Sequence, residues 1–277
     1  MKKHLVTILL ALVFLVALSI LLYPAISEYV NSLHQSRAIA SYTATVADYT
    51  EQSFREEFAA ADDYNAALRK TPMAFYDPTL VPGYENILNV NETGIMGYIS
   101  IAKINVKLPI YHTTDGGVLQ VAVGHLQGSS LPVGGAGTHC VLSGHRGLPS
   151  AKLFSDLDKL KIGDTFVIKV LNRCLTYQVD QIKVVLPTGV EDLQIVDGED
   201  YCTLETCTPY GINSHRLLVR GTRVENVVET TDGYGDAEIE QTDPGIVTPV
   251  IAAPLLLILL VVLLVKHCRG KGKRRCK

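Results

Sequence analysis

The 277 residues are about half apolar (47%) and only 19% charged, which excludes a wholly disordered, collagen-like or mini-protein chain. The formal charge of −3 conceals an asymmetry: nine of the 25 Lys and Arg lie at the two ends, leaving 16 basic residues in the middle against 28 acidic, about −12. A surface of that sign argues against nucleic acid as a partner, and the absence of Trp argues against carbohydrate stacking.

Residues 5 to 27 carry no charge, follow Lys2 and Lys3, and are long enough to cross a hydrocarbon core of about 30 Å at about 1.5 Å per residue. The stretch outruns the apolar core of a secretory signal, so residues 1–27 read as an uncleaved membrane anchor, with a signal segment ending near Ala25-Ile26-Ser27 as the alternative. Residues 28–71 are rich in Ala, Glu and Gln without Pro or Gly until Thr71-Pro72 stops them, and predict one or two amphipathic helices. Residues 72–85 carry the turn pairs Asp77-Pro78 and Pro82-Gly83 and predict a surface loop. Residues 86–227 change to short β-rich runs punctuated by Gly and Pro, which predict a barrel or sandwich; only 150–164, SAKLFSDLDKLKIGD, looks helical among them. An acidic linker over 228–245 leads to a second uncharged run, 246–265, and a basic tail, 266–277. The charge rule for membrane helices makes the run a stop-transfer helix and puts the tail in the cytoplasm. The domain between the two spans is then extracytoplasmic, anchored in the cell membrane.

Cys140, Cys174, Cys202 and Cys207 fall in that domain, where disulfides form. Cys202 and Cys207 are five apart on one predicted strand, so they face opposite ways; Cys140–Cys174 is the candidate bridge, and the alternative is that Cys140, Cys174 and Cys202 are small buried apolar residues. A zinc site would draw on His112, His125, His139, Cys140 and His145, but no CxxC or HExxH spacing accompanies them, so no metal and no cofactor is expected. Cys207 differs from the other thiols because it ends the run TLETC immediately before the turn Thr208-Pro209-Tyr210-Gly211. The chain then returns into a strand that carries Arg216 back toward the sulfur, where a guanidinium stabilises a thiolate, a carbonyl or an oxyanion.

TLETC, Arg216 nine residues after its Cys, and the earlier His145 in LSGHRGLPSAKLF together resemble a sortase. The runs LPIYH, VGHLQGSSLPVGG, GHRGLPSAKLFSDLDKLKIGD and TPYGINSHRLLVRGTRV, over roughly residues 70 to 225, are similar to the class C, pilus-assembling sortases of Gram-positive bacteria. The resemblance implies a mainly β fold, an eight-stranded β-barrel with short helices, besides the N-terminal helical region and the two membrane helices. It implies Cys207 as nucleophile, His145 as general acid and base and Arg216 as oxyanion or substrate stabiliser, with Tyr210, Thr206 and His125 as candidate substrate-binding residues. It also implies a lid in which an Asp-Pro pair, here Asp77 and Pro78, sets its acid against the catalytic Arg while a following aromatic covers the Cys. The residue that follows is Thr79, so the aromatic is expected from Tyr76 or Phe75. The implied activity is cleavage of an LPxTG-like sorting signal, a thioester acyl-enzyme, and transfer to a pilin lysine. Pilin subunits and the bilayer are the implied partners. A housekeeping sortase that anchors proteins to peptidoglycan and a non-catalytic tethered scaffold are the alternatives.

Overall fold

A computed structural model describes residues 2–226. The second apolar run, the acidic linker and the basic tail predicted above lie outside the described residues. The chain divides into two compact units, 31–229 and a terminal one that includes 1–30. Helix α1, Lys2–Ala47, begins in the terminal unit. Leu12, Leu15, Val16, Ile20 and Ile26 on it are exposed, and its Ala11–Ala47 part is long and apolar enough to cross a membrane.

Within the larger unit, α1 buries Ile39, Tyr42 and Val46, spaced three and four apart on one helical face. Tyr42 bridges two strands' ends: its hydroxyl donates to the Met96 carbonyl (2.9 Å) and accepts from the Leu171 N–H (2.7 Å). Helix α2, Glu51–Lys70, starts where the Thr50 hydroxyl accepts from the Ser53 N–H, and buries Phe58, Ala61, Tyr64, Asn65 and Leu68. The Asn65 amide accepts from the Leu131 N–H (2.7 Å) and donates to the Leu131 carbonyl (3.2 Å), fastening α2 to the barrel.

Eight strands close the barrel: β1 Ile95–Ile101, β2 Val106–His112, β3 Val123–His125, β4 Thr138–Ser143, β5 Thr165–Val170, β6 Arg173–Val185, β7 Asp200–Thr208 and β8 His215–Val224. Their order around the barrel is β1-β2-β3-β4-β7-β8-β6-β5. Alternation along β4, β7 and β8 turns Cys140, Leu142, Cys202, Leu204, Leu217 and Val219 into the core, with Ile99, Ile110, Phe166, Ile168 and Tyr177. The α2 aromatic residues Phe58 and Tyr64 belong to the same core, so helices and barrel share one hydrophobic interior.

Two expectations are corrected. Residues 150–164 form turns with a single short 3-10 turn at Leu157–Lys159 rather than a helix. Leu153 sits at φ +40°, outside right-handed helix space, and the Phe154 N–H is drawn to the His145 carbonyl (3.1 Å), while Ala151, Leu153, Phe154, Leu157 and Leu160 are all buried in the core. The Cys140–Cys174 bridge does not form: both thiols are free, Cys140 being buried on β4 and Cys174 exposed on β6. Cys140 instead lies beside Cys202, its partner in the parallel β4–β7 register.

Replacing Asn65 by Ala strands the Leu131 N–H and C=O in a dry site, each costing about 1–3 kcal/mol. Denaturant unfolding is expected to show a loss of about 2–4 kcal/mol, with α2 helicity otherwise retained by circular dichroism.

Candidate active site

The site lies where β4 and β7 end together. β7 is paired on both sides, in parallel with β4 and antiparallel with β8. On the β8 side, Cys207 and Arg216 are direct cross-strand partners, so the two side chains leave the sheet on the same face. That face is the outer one, because Cys202 and Leu204 point into the barrel and Cys207 has the opposite parity. On the β4 side, the register runs to Ser143 opposite Glu205 and is continued by two further bonds. The Gly144 N–H donates to the Glu205 carbonyl (3.0 Å), and the Thr206 hydroxyl donates to the Gly144 carbonyl (2.7 Å). His145 is the next residue. Gly144 is required there: a Cβ would stand 2.6 Å from the Phe154 ring.

Arg216 is only partly exposed and is held by two contacts. Its Nε is 3.2 Å from Glu205 Oε1, and its Nη1 donates to the His215 carbonyl (3.3 Å). Burial raises the Glu205 carboxyl above its ordinary range, and Arg216 and Ser143 oppose that rise. Arg146, next to His145, donates to the Thr208 hydroxyl (3.3 Å), is paired with Asp158, and has its guanidinium 6.0 Å from the centre of the Tyr210 ring. It thereby ties the residue after His145 to the residue after Cys207.

The loop 72–85 covers the same face of the sheet. Phe75 packs on a small apolar cluster of Val141, Leu193 and Leu218, whereas Tyr76 is 63% exposed. Gly128 lies directly beneath the loop at φ +92°, with the Ala74 carbonyl 2.6 Å from where a Cβ would be, so only glycine fits. The inward aromatic of the loop is therefore Phe75 rather than Tyr76. The expected Asp77–Arg216 pair is not formed: Asp77 accepts from the Thr79 N–H (3.2 Å) and hydroxyl (2.5 Å), while Arg216 meets Glu205. Pro78 opens the 3-10 turn that Asp77 caps.

The candidate substrate-binding residues separate. Tyr210 is exposed at the rim, its ring against Gly147. Thr206 is buried, and its hydroxyl goes to the backbone beside His145. His125 is fully buried, between the Tyr84 hydroxyl (3.0 Å) and the Ser130 carbonyl (2.8 Å), and supports the interior. Burial pushes the Cys202 thiol well above its ordinary value, so it stays protonated. Glu205 and Arg146 were not singled out from sequence as site neighbours. For Glu205 a usable signal existed: it stands two residues before Cys207 and therefore on the same face as Arg216.

Comparison with known proteins places this geometry in a class. The sortase domain model matches residues 99–224, and the chain belongs to the sortase family of cysteine transpeptidases. Its class is C: it is 52% identical to sortase C1 of Streptococcus agalactiae, whose crystal structure superposes with a TM-score of 0.63 over 69% of this chain and 99% of that one. Sortase C of Clostridium perfringens, solved with the C-terminal cell wall sorting motif, is 44% identical over 69% of this chain and 99% of that one, with a TM-score of 0.61. A curated relative, sortase A of Streptococcus agalactiae, is 29% identical over 117 residues, which span 41% of this chain and 47% of that relative.

His139 yields a pH dependence. Its Nδ1–H donates to the Gln194 carbonyl (2.8 Å), so in the neutral ring Nε2 accepts from the Thr203 hydroxyl (2.8 Å). Burial lowers its pKa to about 4 from the ordinary 6.5. A depressed folded-state value means stability is complete above about pH 6.5 and falls as the unfolded chain takes up the proton between 6.5 and 4, by up to roughly 3 kcal/mol. His112, lowered by burial as well, acts in the same direction. Urea midpoints measured from pH 7 to pH 4 are expected to fall with that profile and to fall less in His139→Gln.

Proposed function

We propose that this class C sortase is a membrane-anchored, pilus-associated transpeptidase in which Cys207 is the nucleophile, His145 the general acid and base, and Arg216 the oxyanion stabiliser. The observation that carries this reading is the cross-strand pairing of Cys207 with Arg216; the bonding of Gly144, the residue before His145, to Glu205 and Thr206 of the same strand supports it.

The chemistry follows from these roles. The Cys207 thiolate attacks the carbonyl carbon of the scissile peptide bond in an LPxTG-like sorting signal, and the carbonyl oxygen becomes an oxyanion. Arg216 receives it: two of its three guanidinium nitrogens are engaged by Glu205 and His215, and Nη2 has no hydrogen bond among the described residues. Protonated His145 gives its proton to the departing amine, and a thioester remains on Cys207. A lysine amine of a second pilin then attacks, His145 takes its proton, and the thiolate leaves as the new amide forms. Aminolysis competes with water because the acceptor is held close to the thioester. The apolar helix at residues 11–47 supports tethering of the enzyme at the membrane where such acceptors are concentrated.

The loop 72–85 acts as the lid. Phe75, packed against Val141 and Leu218 on the sheet face that carries Cys207, is its anchor, and Asp77 with Pro78 forms the turn at its tip. Substrate enters when Phe75 leaves that cluster.

Two outcomes test these roles. Mixed with pilins bearing the sorting signal and acceptor lysines, the enzyme is expected to yield intermolecular lysine isopeptides by mass spectrometry. Cys207→Ala and His145→Ala are expected to give none above background, and Arg216→Lys, which keeps charge but loses the planar fork, to lose about 10²–10³-fold in kcat; products formed only by hydrolysis would contradict the transpeptidase assignment. Second, Phe75→Ala is expected to speed alkylation of Cys207 severalfold, and Tyr76→Ala to leave the rate within about twofold.

A further inference from the structure

We infer that Glu205, the central residue of TLETC, is a positioning residue that fixes the Arg216 guanidinium for oxyanion binding and ties it mechanically to the segment carrying His145. This rests on the catalytic roles proposed above and adds a fourth residue to them. Glu205 uses both of its ends. Its backbone carbonyl accepts from Gly144, the residue before His145 (3.0 Å), and its carboxylate meets Arg216 Nε at 3.2 Å. It has the same strand parity as Cys207 and lies two residues from it, so the carboxylate and the sulfur share one face. Its own cross-strand neighbours, Ser143 on β4 and Leu218 on β8, close it in from both sides. The side chain is 16% exposed and that of Arg216 is 29% exposed, so neither is a freely solvated surface charge.

The effect on Arg216 is geometric. An arginine at a strand end has four side-chain torsions to fix before its fork points at one atom. Engagement of Nε by Glu205 and of Nη1 by the His215 carbonyl removes most of that freedom and leaves Nη2 as the donor for an incoming oxygen. A carboxylate also opposes negative charge developing nearby. That opposing effect is the smaller one here, because the carboxylate sits on the Nε side of the fork, and misplacing a catalytic group by about 1 Å costs on the order of 10²-fold. Glu205 further accounts for the arginine being neutralised without the lid: with Asp77 turned to Thr79, the internal acid is the partner of Arg216 while the lid is in place.

The test is a double-mutant cycle in the full-length chain in detergent, read with a fluorogenic LPETG peptide and an amine acceptor. Glu205→Ala is expected to lower kcat about 10- to 100-fold with KM within about twofold, and Glu205→Gln, which preserves shape and an acceptor oxygen, to recover most of that loss. In an Arg216→Ala background, both substitutions are expected to change kcat by less than about twofold. A rise in kcat on losing the acid, or an equal loss with and without Arg216, overturns the inference. An Arg216→Ala enzyme as active as wild type sinks the catalytic scheme instead. Independently of turnover, the Arg216 Nε–H resonance, assigned by its absence in Arg216→Lys, is expected to be protected from water exchange in the wild type, to lose that protection in Glu205→Ala and to keep most of it in Glu205→Gln. A wild-type Nε–H that exchanges freely overturns the inference even if the peptide is not cleaved.

Discussion

Everything at this site depends on β7 being paired along both edges up to its last residues. A strand end with one free edge frays, and its terminal side chains sample many directions. Here the antiparallel partner sets Arg216 against Cys207, and the parallel partner is extended one residue beyond its ladder by the Gly144 N–H and the Thr206 hydroxyl. The second of these is the less obvious. Thr206 faces away from the Cys207 sulfur, is buried, and spends its hydroxyl on the backbone carbonyl of Gly144, so a residue adjacent to Cys207 serves the segment leading to His145 rather than the substrate. The constellation is thus built on ladder hydrogen bonds, which are short-range and strongly directional, and its precision is that of a sheet rather than of a loop.

The sequence made some of this legible. A β-run ending in Cys207, a four-residue turn signal and a returning run form a hairpin, and hairpins are local, so the proximity of Arg216 could be read from nine residues of spacing. His145 could not be read that way. Its segment runs beside β7 only through a parallel pairing across about sixty residues of chain, and parallel pairings leave no local signal; only the resemblance to sortases supplied it. Residues 150–164 misled for a related reason. Their apolar spacing and their Lys–Asp pairs at three and four residues suit a helix, yet the buried positions are consumed by contacts to the barrel, and one residue in left-handed space is enough to prevent the helical ladder. His125 misled in a different way: carried as a candidate substrate contact, it is a core residue with both ring nitrogens satisfied by neighbours.

The cover over the site also differs from the pattern that the family resemblance implies. An acid in the lid that pairs with the catalytic arginine makes opening an electrostatic event, because an ion pair must be separated. In this chain Asp77 is turned to its own Thr79, and the phenyl ring of Phe75 packs the loop on Val141 and Leu218 of the sheet face and on Leu193. Leaving an apolar cluster responds to salt and temperature differently from breaking an ion pair: added salt weakens the latter by screening and has little purchase on the former. The Gly128 backbone directly below sets how closely the loop approaches.

The shared interior of helices and barrel bears on how this enzyme can be cut down for study. The stretch matched by the sortase domain model begins at residue 99, inside β1, and leaves out the whole of α2 and the buried part of α1. A recombinant fragment trimmed to that boundary would start in mid-strand, lay bare the apolar wall that Tyr42, Phe58, Tyr64 and Leu68 now cover, and lose the amide that satisfies Leu131. The smallest piece that keeps a closed core therefore begins upstream of Ile39, and the start of the matched sortase domain and the folding boundary of this protein lie about sixty residues apart.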